Sequence, residues 1–267
     1  MDPFVLFDGV ACPDGTGPLP LDDLALVNGI AVFEVLRTYR RAPFKLDVHL
    51  RRLAFSASWC DIAWHAEVGD EIIAAAAAIA EESQVSVFFT ASGHRIVRSR
   101  PLDLSRVGTP IRLATRDFAA PEWLPGRVKH TSRAAWVMAA RKAGVDEVLW
   151  RSPRGDWTEC NRSNLFVVRG GVLCTPADDG RILQGVTRDT MIEVARDLGL
   201  DVREERVDPG PCDEMYVCST LKELAPVAEL DGAVGPGGGP VGTRLLEEFR
   251  RRYDGAPTVS PNVRRYP

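Results

Sequence analysis

Four short runs in this chain carry residue types that can do chemistry, and they occur in a fixed order. The first, R-V-K-H-T-S-R, places Lys129 ahead of an apolar helical pattern. A lysine amine becomes a nucleophile when burial or cationic neighbours keep it partly deprotonated. The second, W-T-E-C, places Glu159 just before a strand pattern. A carboxylate there can keep a heteroaromatic nitrogen protonated, so that the ring draws electrons. The third, I-L-Q-G-V-T-R-D, puts Val186 and Thr187 at a helix start, where unbonded backbone N–H groups form a ready phosphate site. The fourth, Y-V-C-S-T-L-K-E, puts Ser219 and Thr220 after a strand as further hydroxyl and amide donors. Singly, these residues read as a surface lysine, a solvated carboxylate, a helix cap and a turn. In this order they describe a site that binds a phosphate-bearing organic group covalently at Lys129.

The elements that must position these residues are legible as alternating strand and helix signals. Phe4–Phe7 is a short apolar strand closed by Asp8-Gly9, and residues 29–39 form a longer one carrying Val32, Phe33, Val35 and Leu36. Arg40-Arg41 with Pro43 reads as a hairpin turn before a strand at 44–46, and Asp47 as the cap of the helix H-L-R-R-L-A-F-S-A. Residues 70–83 are alanine-rich and helical by propensity, and 85–90 form a strand by β-branched and aromatic content. Another strand is expected at 111–115. Ala134–Ala143 is a helix stopped by Gly144, and strands are expected at 148–150, 165–168, 172–174 and 215–218. A helix at 187–199 presents Met191, Ile192, Val194, Ala195 and Leu198 on one face, and a last helix runs over 241–252. The Pro-rich D-F-A-A-P-E-W-L-P-G suits a connection between lobes. The expected organisation is an N-terminal lobe over 1–118, a connection at 119–126, a second lobe over 127–254 and a tail at 255–267.

Bulk composition excludes several classes. The 267 residues carry a formal net charge of −4, are 45% hydrophobic and 26% charged, and are ordinary for a globular protein. Mild acidity gives no reason to expect a nucleic-acid partner. No apolar stretch approaches the length of a spanning helix, and the N-terminus lacks the pattern of a secretory signal, so a cytoplasmic protein without a membrane partner is expected. Six scattered cysteines and four histidines show no zinc-ligand spacing, and no metal is expected.

The combined runs K-H-x-x-R, G-x-W-T-E-C-x-x-S-N-L-F, L-x-G-V-T-R and C-S-T, with V-F-E-V-L-R-T-Y and F-K-L-D-V-H-L-R-R-L-A-F-S-A upstream, resemble the class IV, fold type IV aminotransferases. That family uses pyridoxal 5′-phosphate and includes branched-chain and D-amino-acid aminotransferases, (R)-amine aminotransferases and 4-amino-4-deoxychorismate lyase. The resemblance implies an α+β (mixed α/β) two-lobed fold, with a smaller N-terminal α/β lobe and a larger C-terminal lobe with a β-barrel-like core. It implies Lys129 as the Schiff-base lysine and proton carrier, and Glu159 as the partner of the pyridine nitrogen. Arg52, Val186, Thr187 and Thr220 become the phosphate ligands. Arg37, His94, Arg95 and Arg98 are candidates for substrate contact, and Asn164 and Arg188 for structural support. The expected activity is transfer of an amino group between an amino acid or amine and a 2-keto acid in a homodimer. The alternatives are the lyase, which releases pyruvate and 4-aminobenzoate, and a cofactor-binding protein without turnover. Ala134 stands where many transferases of this family have a tyrosine, and K-H-x-x-R is similar to the lyase branch.

Overall fold

Val32, Phe33, Val35 and Leu36 are β-branched, aromatic or bulky aliphatic residues, and they extend the chain as a nine-residue strand. In the computed structural model, which describes residues 3–12 and 15–254, this strand belongs to the first of two compact units. Of the described residues, that unit contains those up to Asp103, the segment Val128–Ser132 and those from Arg252. Its elements are β1 (Phe4–Phe7), β2 (Val10–Cys12), α1 (Leu24–Val27), β3 (Ala31–Tyr39), β4 (Ala42–Pro43), α2 (Leu46–Trp59), α3 (Val68–Ala77), β5 (Ser83–Thr90) and β6 (Arg95–Pro101). The strands form one antiparallel sheet in the order β2-β1-β6-β5-β3-β4.

One face of that sheet is apolar, with Val32, Leu36, Val85, Val87, Phe89 and Val97. Leu50, Leu53 and Ala57 of α2 and Ile72, Ala75 and Ala76 of α3 pack against it. Each fully buried Leu or Phe there contributes roughly 2 kcal/mol of hydrophobic stabilisation. Three local expectations change. The strand at 44–46 does not form, because Lys45 adopts a left-handed backbone (φ 47°) and the helix starts at Leu46. Asp47 therefore lies in the first turn rather than at the cap, where its charge suits the helix N-terminus and pairs with Arg51 at 3.1 Å. The alanine-rich helix spans Val68–Ala77 rather than 70–83, and Ser83 opens β5 instead.

The second unit contains Leu104–Arg127 and Arg133–Arg251. Its elements are β7 (Ile111–Asp117), α4 (Ala134–Ala143), β8 (Glu147–Arg151), β9 (Trp157–Cys160), β10 (Asn164–Arg169), β11 (Val172–Pro176), α5 (Val186–Asp197), β12 (Val202–Glu205), β13 (Glu214–Ser219), β14 (Glu223–Leu230), β15 (Ala233–Val234) and α6 (Pro240–Tyr253), the last of which crosses the boundary at Arg252. Gly144, at φ +67°, ends α4 in the left-handed conformation that a side chain would resist. The division falls at Asp103 rather than at residues 119–126, because β7 hydrogen-bonds to β14 and β8.

Six strands close on themselves in the order β10-β13-β14-β7-β8-β9. Closure depends on one antiparallel pair, Asn164 opposite Glu159. Leu113, Leu149, Trp157, Leu165, Val167, Met215, Val217 and Val227 fill the core of this barrel, while β11 and β12 extend the sheet beyond β10. The mixed α+β architecture with a barrel-like second unit is thus as expected. The 255–267 tail lies outside the described residues. Among the described residues, no helix is long and apolar enough to cross a membrane, and no group of His, Cys, Asp and Glu could hold a metal ion.

Candidate active site

Lys129 is fixed by its backbone. The segment 128–132 lies along β3, with the Phe33 amide donating to the Lys129 carbonyl at 3.0 Å and the Thr131 amide donating to Ala31 at 2.9 Å. The Lys129 amide donates to Ser56 Oγ of α2 at 3.1 Å. Its Nζ lies 4.6 Å from the centre of the Phe33 ring, a cation–π distance. Strand β3 and helix α2 therefore hold the lysine between them.

The same two elements carry a buried charged cluster. Arg52 donates through Nε to Glu34 Oε1 at 2.6 Å and through Nη2 to Oε2 at 2.8 Å. His49, one turn before Arg52, meets Glu34 Oε2 at 2.8 Å through Nδ1. Burial alone would raise the Glu34 carboxyl, but the Arg52 charge and the hydrogen bonds from Arg52 and His49 outweigh it and hold it far below the usual range. For His49, burial outweighs the pull of Glu34, and the Arg52 and Lys129 charges add to the lowering, so the imidazole is neutral. Facing a carboxylate, Nδ1 is assigned the proton, and Nε2 is buried without a hydrogen-bond partner.

In the second unit, Glu159 lies within β9, not just before a strand. The register between β8 and β9 shifts between Leu149 and Arg151, the kind of irregularity that re-aims a side chain. Glu159 Oε2 accepts from the Leu183 amide at 3.0 Å and from Asn164 Nδ2 at 3.3 Å. Asn164 Nδ2 also donates to the Leu183 carbonyl at 2.9 Å. Three residues after Leu183, helix α5 starts at Val186. Its N-cap is Gly185, which has no side chain with which to cap, so the first-turn amides of Val186 and Thr187 are left to another acceptor. Both residues are buried. Thr220 follows β13 in the turn to β14, and Cys218 of β13 pairs with Asn164. Within this unit, uncapped amides and a threonine hydroxyl are donors of the kind that fits a phosphate ester, and a fixed carboxylate fits a pyridinium nitrogen.

The structure brings Lys129 and Arg52 together in the first unit, and Glu159, Val186, Thr187 and the Thr220 turn together in the second. Arg37 is buried on the β3 face that carries Phe33 and Val35, with its guanidinium carbon 4.1 Å from the Tyr39 ring centre. Arg98 shares that face, because Val35 pairs with Ser86 and Ser86 with Arg98. Arg95 points to the opposite face and is held by Glu71 at 2.6 and 2.7 Å, while His94 pairs with Asp8 at 2.8 Å. Arg188 is buried and bonds Thr175, the Pro176 carbonyl and Glu204. Arg133 occupies the N-cap position of α4, 4.7 Å from the Trp136 ring centre. Burial pulls its guanidinium below the ordinary value, with Glu159 and Glu147 opposing. Glu34 and His49 were not found by reasoning on the sequence. The available signal was a lone carboxylate in the apolar run A-V-F-E-V-L, with a histidine and an arginine three residues apart on one helix.

Residues 31–230 match the family amino-transferase class IV. A probable branched-chain-amino-acid aminotransferase of Thermotoga maritima is 32% identical over 232 residues, covering 82% of this chain and 85% of the relative. A D-alanine aminotransferase of Listeria monocytogenes is 27% identical over 258 residues, covering 86% and 89%. The branched-chain aminotransferase of Thermoproteus uzoniensis, solved with norvaline, superposes with a TM-score of 0.86 at 26% identity, covering 94% of this chain and 95% of the other. The chain belongs to the class IV aminotransferases. It is an enzyme that moves amino groups, and its cofactor is pyridoxal 5′-phosphate.

Proposed function

We propose that Lys129 anchors the cofactor and that the enzyme moves an amino group between an amino acid and a 2-keto acid. The observation that carries this reading is the junction of β9 and β10, where Glu159 is fixed by the Leu183 amide and Asn164 just ahead of the uncapped start of α5. Pyridoxal phosphate supplies an electron sink that lets the substrate Cα lose a proton. Glu159 holds a proton on the pyridine nitrogen, and its fixed position keeps that charge in place through turnover. The amides of Val186 and Thr187, the Thr220 hydroxyl and the Arg52 guanidinium bind the phosphate. Lys129 Nζ would anchor the cofactor and would act as the general base toward the substrate's Cα proton.

The donor is an amino acid rather than a simple amine. The relatives named above are amino-acid aminotransferases, and Arg37 and Arg98 lie on the Phe33 face as cationic partners for a carboxylate. A homodimer in the cytoplasm completes the proposal, supported by the family resemblance and the scattered cysteines.

The test is to incubate the holoprotein with L-leucine, D-alanine and (R)-1-phenylethylamine and to follow the absorbance of the bound cofactor. Conversion to the aminated cofactor with an amino acid, restored by a 2-keto acid, is the expected result. No conversion with any donor, together with pyruvate release from aminodeoxychorismate, would overturn the reading in favour of the lyase.

A further inference from the structure

Glu34 has no part in the roles assigned above, yet it organises the buried charge of the first unit. It sits mid-strand in β3 with its side chain 1% exposed. Its two oxygens take the Arg52 fork side-on, through Nε at 2.6 Å and Nη2 at 2.8 Å. A bidentate pair of this kind fixes the plane of the guanidinium as well as its position. The carboxylate is held in turn by His49 Nδ1 at 2.8 Å. His49 and Arg52 lie three residues apart on α2, so the helix and the strand are cross-linked through one acid.

We propose that Glu34, steadied by His49, is a positioning residue that sets the Arg52 guanidinium for the cofactor's phosphate. The inference rests on the reading of Arg52 as a phosphate ligand. An unpaired arginine has many side-chain rotamers, and a ligand that binds it must order them. Pairing to Glu34 moves that ordering into folding, so the phosphate meets a cation already in place. The neutral imidazole supplies an N–H donor without adding a second cation beside Arg52 and Lys129. The rival account is that Glu34 simply staples α2 to β3.

Four variants of the full chain separate these accounts. They are Glu34→Gln, Arg52→Gln, His49→Asn, which keeps an N–H donor where Nδ1–H stands, and His49→Leu, which does not. Two quantities are read: the affinity for pyridoxal phosphate, from the absorbance of the bound cofactor, and the rise in melting temperature that inorganic phosphate gives the cofactor-free chain. We expect Glu34→Gln to weaken cofactor binding about tenfold or more and to shrink the phosphate-induced rise, with the bound chromophore at its parent wavelength. His49→Asn stays within about threefold of the parent, and His49→Leu falls clearly below it. A Glu34→Gln chain that melts lower but keeps the parent's phosphate response would leave only the staple. Tighter phosphate binding would show that Glu34 only neutralises Arg52. Either result overturns the inference. If Glu34→Gln does not fold, the His49 pair decides. Weakening by leucine but not asparagine supports the inference, and equal behaviour of the two overturns it. If Arg52→Gln keeps the parent's phosphate response, the reading of Arg52 itself fails.

Discussion

One added methyl group should uncouple the two halves of the Glu159 junction. An ideal Cβ on Gly185 would stand 1.9 Å from Asn164 Oδ1 and 3.0 Å from Asn164 Cγ and Arg188 Cβ. Arg188 is buried and bonded on several sides, so the amide of Asn164 must give way. Its Nδ2 then loses the Leu183 carbonyl at 2.9 Å and Glu159 at 3.3 Å. Two hydrogen bonds at about 1 kcal/mol each, plus the cost of a stranded buried acceptor, give roughly 2–4 kcal/mol for Gly185→Ala. In a chain of this size that corresponds to a melting temperature lower by roughly 5–10 °C. The decisive assay is a double-mutant cycle with Asn164→Ala. Once the asparagine amide is gone its 1.9 Å clash is gone and only the 3.0 Å contact with Arg188 Cβ remains, so Gly185→Ala should then cost clearly less, about 1 kcal/mol. Full cost in both backgrounds, or a single variant within about 0.5 kcal/mol of the parent, would refute the coupling of Gly185 to Glu159 through Asn164.

Other consequences follow from the buried polar groups. The folded chain holds His49 neutral mainly by burial, whereas the unfolded chain protonates it near pH 6.5. Below that pH the unfolded state binds the extra proton, so stability falls on acidification, by at most about 1.4 kcal/mol per pH unit from this group. Urea midpoints measured between pH 7.5 and 5 should show this slope, with His65 acting in the same direction, and His49→Asn should flatten the profile. A slope unchanged in His49→Asn would assign the effect elsewhere. At the start of α6, Glu214 accepts the Val241 and Gly242 amides at 2.9 Å, while the Tyr216 hydroxyl donates to Glu214 at 2.6 Å and accepts the Gly239 amide at 2.7 Å. Tyr216→Phe strands the Gly239 amide and takes one of three donors from Glu214, and should cost about 1–3 kcal/mol, with faster hydrogen exchange at Val241 and Gly242. Exchange at the parent rate would show that the helix start does not depend on this network.

The legible parts of this protein were those written as local pattern. β3, α4 with Gly144, and the uncapped start of α5 follow from side-chain type and spacing along a few residues. Lys129, Glu159 and Thr187 stood out as candidates because each borders such a pattern. What stayed hidden was long-range pairing. The Glu34–His49–Arg52 cluster joins a strand to a helix, and neither segment alone shows why a carboxylate can sit in an apolar run. Strand β6, which carries Arg95 and Arg98, escaped because three arginines in seven residues mask its alternation. The boundary near 119–126 was misplaced for a related reason. A Pro-rich stretch signals a bend in the chain, but the unit to which β7 belongs is fixed by hydrogen bonds to β14 and β8.

The sequence offers a direct measurement of the central claim, because it holds only four lysines, Lys45, Lys129, Lys142 and Lys222. The holoprotein is reduced with borohydride, digested and mapped by mass spectrometry. The account predicts the mass of the reduced cofactor on the Lys129 peptide, and loss of the reducible chromophore in Lys129→Ala. The same mass on Lys45, Lys142 or Lys222, or a reducible chromophore that survives Lys129→Ala, would contradict it.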